Sequence, residues 1–99
     1  MDEAKRLEAK RLVASRFVEA LPQARALGLR MEEVGPGVAA ISMPYDPRLV
    51  GDPETGVIHG GAVSTLMDTT CGAAVLGHPT AADGTATLDL RIDYMRPAT

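Results

Sequence analysis

Residues 60–76, GGAVSTLMDTTCGAAVL, have the length and small-residue content of an α-helix but offer no solvated face. Val63, Leu66, Met67, Thr70, Ala73 and Ala74 form one stripe. The remaining positions, among them Ser64, Thr65, Cys71, Gly72 and Val75, are uncharged, and Asp68 is the sole ionisable carboxylate. A helix without a polar face is a buried helix. The chain must therefore surround this segment, most simply with a sheet wrapped around it. Two features need a reason: a lone acid in such a setting, and a start at Gly60 and Gly61, residues that weaken a helix.

The flanking sequence supplies part of the cover. Residues 2–21 read as a helix, with Leu7, Ala14, Phe17, Val18 and Leu21 on one stripe at three- and four-residue steps. Pro22 ends or kinks it, and Gly28 closes the short segment QARALG. The tripeptide Gly35-Pro36-Gly37 is a turn signal between LRMEEV and VAAISMPY, so a β-hairpin is expected. Pro44 and Pro47 break the second strand. Residues 46–57, rich in Asp, Pro and Gly, read as a long loop, and such loops are often functional. HPTAADGT reads as another loop. TATLDLRIDYM then alternates Ala86, Leu88, Leu90, Ile92 and Tyr94 with Thr87, Asp89, Arg91 and Asp93, the pattern of a half-buried strand. One strand after the buried helix is too little cover. Either another chain completes the sheet or the sequence stops short of the domain's end.

At 99 residues the chain is expected to be one domain, residues 1–99. A net charge of −3 argues against a nucleic-acid partner. The single cysteine, Cys71, forms no internal disulfide, and MDEAKRLEAKRL lacks the apolar core of a secretory signal. No apolar run is long enough to span a bilayer. The expectation is a cytoplasmic protein without a membrane partner.

GVIHGGAVSTLMD, followed by TLDLRIDYMRPA, resembles the hotdog-fold acyl-CoA thioesterases, specifically the phenylacetate-degradation (PaaI-like) group. ALGLRMEEVGPGVAAISMP is similar to that group's first hairpin. The specific elements are His-Gly-Gly, an acid nine residues after the histidine, and a strand ending in Tyr-Met-Arg-Pro. The resemblance implies an α+β hotdog fold, a curved antiparallel sheet wrapped around one long central helix, with C-terminal strands that this sequence lacks. It also implies a homodimer or homotetramer acting on an acyl-CoA substrate, with no cofactor and no metal.

Thioester hydrolysis needs a polarised carbonyl, an attacking group and a held acyl chain. Unpaired N–H groups at a helix start, with the positive end of the helix dipole, can receive an oxyanion, and glycine lets a ligand approach. Gly60, with Gly61 beside it, fits that role. Burial makes a carboxylate a stronger base. The resemblance assigns Asp68 as catalytic base or nucleophile, and the residues leave both mechanisms open. It assigns Gly60 as oxyanion donor and Thr87 as a group that helps hold the attacking water. Gly60 and Asp68 stand eight residues apart. At about 1.5 Å per residue they lie roughly 12 Å apart along the axis. A reacting carbonyl must sit within about 3.5 Å of its attacker. Once the two roles are granted, Gly60 of one protomer must meet Asp68 of its partner across a twofold axis.

His59 is expected to bind substrate or to bond the turn backbone. Cys71 has no histidine at helical spacing and reads as a packing residue. His59, Asp68, Cys71 and His78 lack zinc-site spacing. Arg91 and Arg96 are read as solvated or as contacts for coenzyme A phosphates. Where the family often has an asparagine that orients the thioester carbonyl, this chain has Pro53. The expected activity is hydrolysis of a small or medium acyl-CoA, with an aromatic acyl group suggested by the family label alone. The rival reading is a non-catalytic acyl-CoA-binding or regulatory module. A hotdog hydratase or dehydratase fits the histidine–acid spacing poorly.

Overall fold

The computed structural model describes residues 2–80 and 86–99. Helix α1, Glu3–Ala20, opens on Asp2, whose carboxylate accepts from Lys5 N at 2.8 Å and caps a free N–H. Its stripe behaves as expected: Ala14 and Val18 are buried, with Phe17 packed beside them. Leu21 turns extended, because a residue before proline avoids the helical region. Pro22 then starts the short helix α2, Pro22–Leu27, which Gly28 ends in the left-handed region at φ 70°.

Strands β1, Arg30–Gly35, and β2, Val38–Ser42, form the expected antiparallel hairpin. Its loop is Pro36-Gly37, with Gly37 at φ 72°, the positive φ that a second loop position after proline requires in a type II turn. A register irregularity between Met31 and Glu33 leaves Glu32 as an extra residue, and its carboxylate accepts from Ser42 Oγ at 2.6 Å. Met31 and Ala39 pack on the buried cluster that holds Val34, and with Ile41 on the one that holds Val18 and Ala73.

Residues 46–57 are more ordered than a plain loop. A 3₁₀ turn, Pro47–Leu49, is capped by Asp46, and two short strands follow, β3, Val50–Asp52, and β4, Val57–Ile58. Asp52 organises the turn between them. Its carboxylate accepts from Glu54 N and Thr55 Oγ1, and its carbonyl accepts from Gly56 N. Local side-chain bonds of this kind substitute for a wider sheet.

Helix α3, Gly60–Gly77, packs on α1 and on both hairpin strands. Ala62, Thr69, Ala73, Leu76 and Gly77 are buried there. Gly77 is a close-approach position: a methyl group on it would sit 2.8 Å from the Gly35 carbonyl oxygen. Ser64, Thr65 and Thr70 return their hydroxyls to the carbonyls of Gly60, Gly61 and Leu66, one turn back. The all-round burial expected for this helix is reached on one side only. Met67 is 40% and Val75 47% exposed, and Cys71 between them is exposed too. One hairpin and one helix are too narrow to enclose a second helix.

Of the strand expected over residues 85–95, the described part, 86–95, forms no strand. Residues 86–99 run past α3 without sheet pairing, and the one backbone bond to the rest of the described chain is Ile58 N to Ala98 O at 2.9 Å. Leu88 is fully solvent-exposed and Met95 is 87% exposed. The period-two alternation is a correct signal of a two-faced segment, but a strand exists only against a partner. Residues 81–85, read from the sequence as part of a loop and the strand's start, lie outside the described residues. Among the described residues, no helix is long and apolar enough to cross a membrane.

Candidate active site

Asp68 projects from the middle of α3 into a cleft of about 750 Å³. Phe17 of α1, Leu21 at the junction of α1 and α2, Val75 of α3 and Leu90 of the C-terminal segment give the cleft apolar walls. The Thr87 hydroxyl donates to Asp68 Oδ1 at 2.5 Å. Thr87 has one hydroxyl proton, so its lone pairs stay free to accept from a water, and Asp68 Oδ2 stays free to accept from another donor. Asp68 is half-buried and Thr87 exposed. The enclosed setting expected for the acid is thus only partly supplied by one chain.

At the head of α3, His59 takes the second of the two roles expected for it and bonds the turn backbone. It is the N-cap of the helix, and its Nδ1 accepts from Gly61 N at 2.8 Å. With Nδ1 accepting, the ring's donor is the Nε2–H. The Gly61 N–H is thus committed to His59. The Gly60 N–H, by contrast, has no hydrogen-bond partner among the described residues. Of the two glycines proposed from the sequence to receive an oxyanion, Gly60 keeps an available donor.

The two glycines also have separate reasons to be glycine. A methyl group on Gly61 would sit 3.0 Å from His59 Nδ1, so a side chain there would displace the cap. A methyl group on Gly60 would sit at ordinary contact distance, 3.6 Å, from the Tyr94 ring.

Within one chain, Gly60 and Asp68 line different clefts. Gly60 faces a space of about 600 Å³ with Val63, Tyr94 and Arg96. His59 and Gly61 face a third of about 420 Å³, which shares Gln23 and Thr65 with the Asp68 cleft. This is the separation that helix rise imposes on positions eight apart. Cys71 lines the Asp68 cleft from the exposed side of the helix. Arg91 is paired with Asp93 at 3.4 Å on the surface. Pro53 lies exposed in the β3–β4 turn.

Sequence reasoning missed Tyr94 as a site residue. It reads as one more inward position of an alternating strand. Its hydroxyl in fact donates to the Gly60 carbonyl at 2.9 Å and lies 2.6 Å from Ser64 Oγ. No local pattern signals a contact between residues 34 positions apart.

Residues 55–99, which hold His59, Gly60, Asp68 and Thr87, match the family described as the thioesterase superfamily. A solved protein described as from that superfamily is 34% identical, with a TM-score of 0.77, over 92% of this chain and 67% of its own. The chain belongs to the thioesterase superfamily. It is also similar to a solved protein of Pseudomonas aeruginosa, 43% identical with a TM-score of 0.74, over 91% of this chain and 67% of the other. A curated relative, the medium/long-chain acyl-CoA thioesterase YigI of Salmonella typhimurium, is 31% identical over 91% of this chain. The chain spans 66% of that relative's length. The fold of this thioesterase-superfamily chain is the hotdog α+β arrangement, in which a long helix packs against antiparallel strands.

Proposed function

We propose that the chain is an acyl-CoA thioesterase of the PaaI-like type, working through Asp68 and Gly60 at a site shared by two copies. The observation that carries this reading is the Asp68–Thr87 pair facing an apolar cleft, while Gly60, whose N–H has no partner among the described residues, lines a different one. A twofold partner with an antiparallel α3 brings the missing half to each site. The exposed Met67, Cys71 and Val75 form the surface such a partner would cover.

In the proposed reaction, water bridges Thr87 Oγ1 and Asp68. Asp68 takes a proton as the water oxygen attacks the thioester carbon. The carbonyl π pair moves onto oxygen, where the partner's Gly60 N–H meets the developing charge. Collapse breaks the C–S bond, and coenzyme A leaves as a thiol with the proton returned by Asp68. Direct attack by Asp68 would instead form a mixed anhydride as the C–S bond breaks and coenzyme A leaves as thiolate, to be protonated by water; a second water then opens the anhydride to the free acid and the Asp68 carboxylate. The chemistry uses water, a carboxylate and a backbone amide, and calls for no resident cofactor or metal. His59 lines the adjoining cleft as the second substrate-facing residue, its Nε2–H the available donor. A medium-length acyl group is where the sequence expectation and the relative's printed specificity overlap, and the cleft walls of Phe17, Leu21, Val75 and Leu90 suit it.

Thiol release from a panel of acyl-CoA esters tests the proposal, with Asp68→Asn as the control. Turnover by the wild type that collapses in Asp68→Asn supports it, and an undiminished rate in that variant refutes the assignment. The second reading, a non-catalytic acyl-CoA-binding module, draws on Pro53 standing exposed where the family often carries its orienting asparagine. It predicts saturable acyl-CoA binding without thiol release.

A further inference from the structure

The peptide unit joining Gly60 to Gly61 is held at both ends. Its N–H donates to His59 Nδ1 at 2.8 Å. Its carbonyl oxygen accepts from the Tyr94 hydroxyl at 2.9 Å and lies 3.0 Å from Ser64 Oγ. The two hydroxyl oxygens are 2.6 Å apart. Each hydroxyl carries one proton. With Tyr94 donating to Gly60 O, Ser64 donates either to that same oxygen or to Tyr94 Oη. The Tyr94 ring lies against Gly60, so the clamp has an apolar side as well.

Consecutive glycines have no Cβ to restrict their backbone angles, so the direction of an N–H at such a helix start is soft unless something fixes it. The Gly60 N–H is separated from the clamped peptide by the Gly60 Cα alone. We propose that Tyr94 is a positioning residue: its hydroxyl, acting with His59, fixes the Gly60–Gly61 peptide and through it aims the Gly60 N–H. This rests on the reading of Gly60 as the oxyanion donor. It also gives the C-terminal segment a task that does not depend on sheet pairing. Thr87 at one end of the segment holds the carboxylate, and Tyr94 toward the other end holds the helix head. Precision of this kind matters because small misplacements of a donor cost large factors in rate.

Tyr94→Phe keeps the ring and deletes the hydroxyl. In the full chain, amide hydrogen exchange at Gly61 should quicken about tenfold while the amide of buried Ala73 in the same helix keeps its rate. With acyl-CoA substrate, kcat should fall about tenfold and KM should stay within about twofold, because the donor acts on charge that appears only in the transition state. Ser64→Ala should give the same pattern more weakly, since Tyr94 still reaches Gly60 O. Unchanged Gly61 exchange in Tyr94→Phe overturns the clamp whatever the activity shows. Faster exchange with wild-type kcat overturns the positioning role while leaving the thioesterase reading intact. A wild type that releases no thiol from any acyl-CoA defeats that reading, and the positioning role falls with it, while exchange still decides the clamp.

Discussion

The Thr87 hydroxyl donates to Asp68 across 19 positions of sequence, joining the C-terminal segment to the middle of α3. A hydrogen bond to a charged acceptor contributes about 1.5–3 kcal/mol when both groups are held. Thr87→Val removes the hydroxyl at nearly constant volume, and kcat should fall roughly 10- to 100-fold by that measure. Thr87→Ser should keep most of the wild-type rate. Steady-state kinetics on the two variants decides whether the hydroxyl or the shape matters.

A shared site makes a prediction that a site within one chain does not. Gly60→Pro deletes the N–H at the first helical position, where proline is tolerated. The preceding His59 is already at ψ 133°, which suits a residue before proline. Gly60→Pro should cost roughly 100- to 1,000-fold in kcat. Mixed with equally inactive Asp68→Asn under exchange of subunits, it should recover about one quarter of wild-type activity. Half the dimers are then mixed, and each carries one intact site. No recovery on mixing, with exchange verified by mass spectrometry, would count against the shared arrangement.

His59 should matter for stability as well as for the site. Its Nδ1 satisfies one of the free N–H groups at the head of α3. His59→Ala should cost about 0.5–2 kcal/mol, whereas His59→Asn, a strong N-cap, should restore most of it. Urea unfolding measures both. Gly61→Ala should mimic the loss, because its methyl group would meet the His59 ring.

Gly77 tests the packing of α3 on the hairpin. Alanine there would put a methyl group 2.8 Å from the Gly35 carbonyl oxygen, a backbone atom that cannot rotate away. The expected cost is about 1–3 kcal/mol, the usual range for overpacking a closed contact. Thermal unfolding of Gly77→Ala gives the answer, and Gly35→Ala, with open space around its position, serves as the comparison.

The elements that form from neighbours in sequence are legible in it. The α1 stripe, the Gly28 stop and the Pro36-Gly37 hairpin are each encoded within a few residues, by side-chain period, proline restriction or a positive φ that only glycine adopts easily. The presence of Asp68 in an uncharged helix is likewise a property of the string. What the string left open is whatever needs a distant partner. The alternation over 85–95 marks two faces but does not supply a strand to pair with, and its described part, residues 86–95, stays unpaired along α3. The Tyr94 ring against Gly60 and the Tyr94 hydroxyl on the helix head emerge only when distant segments are folded together. The sequence by itself determined where the lone acid and the glycine pair stand and how far apart one helix must hold them. The tertiary structure decided which of their donors and acceptors are already used, because a hydrogen bond is a fact of position and direction, and residues 34 apart acquire those only on folding.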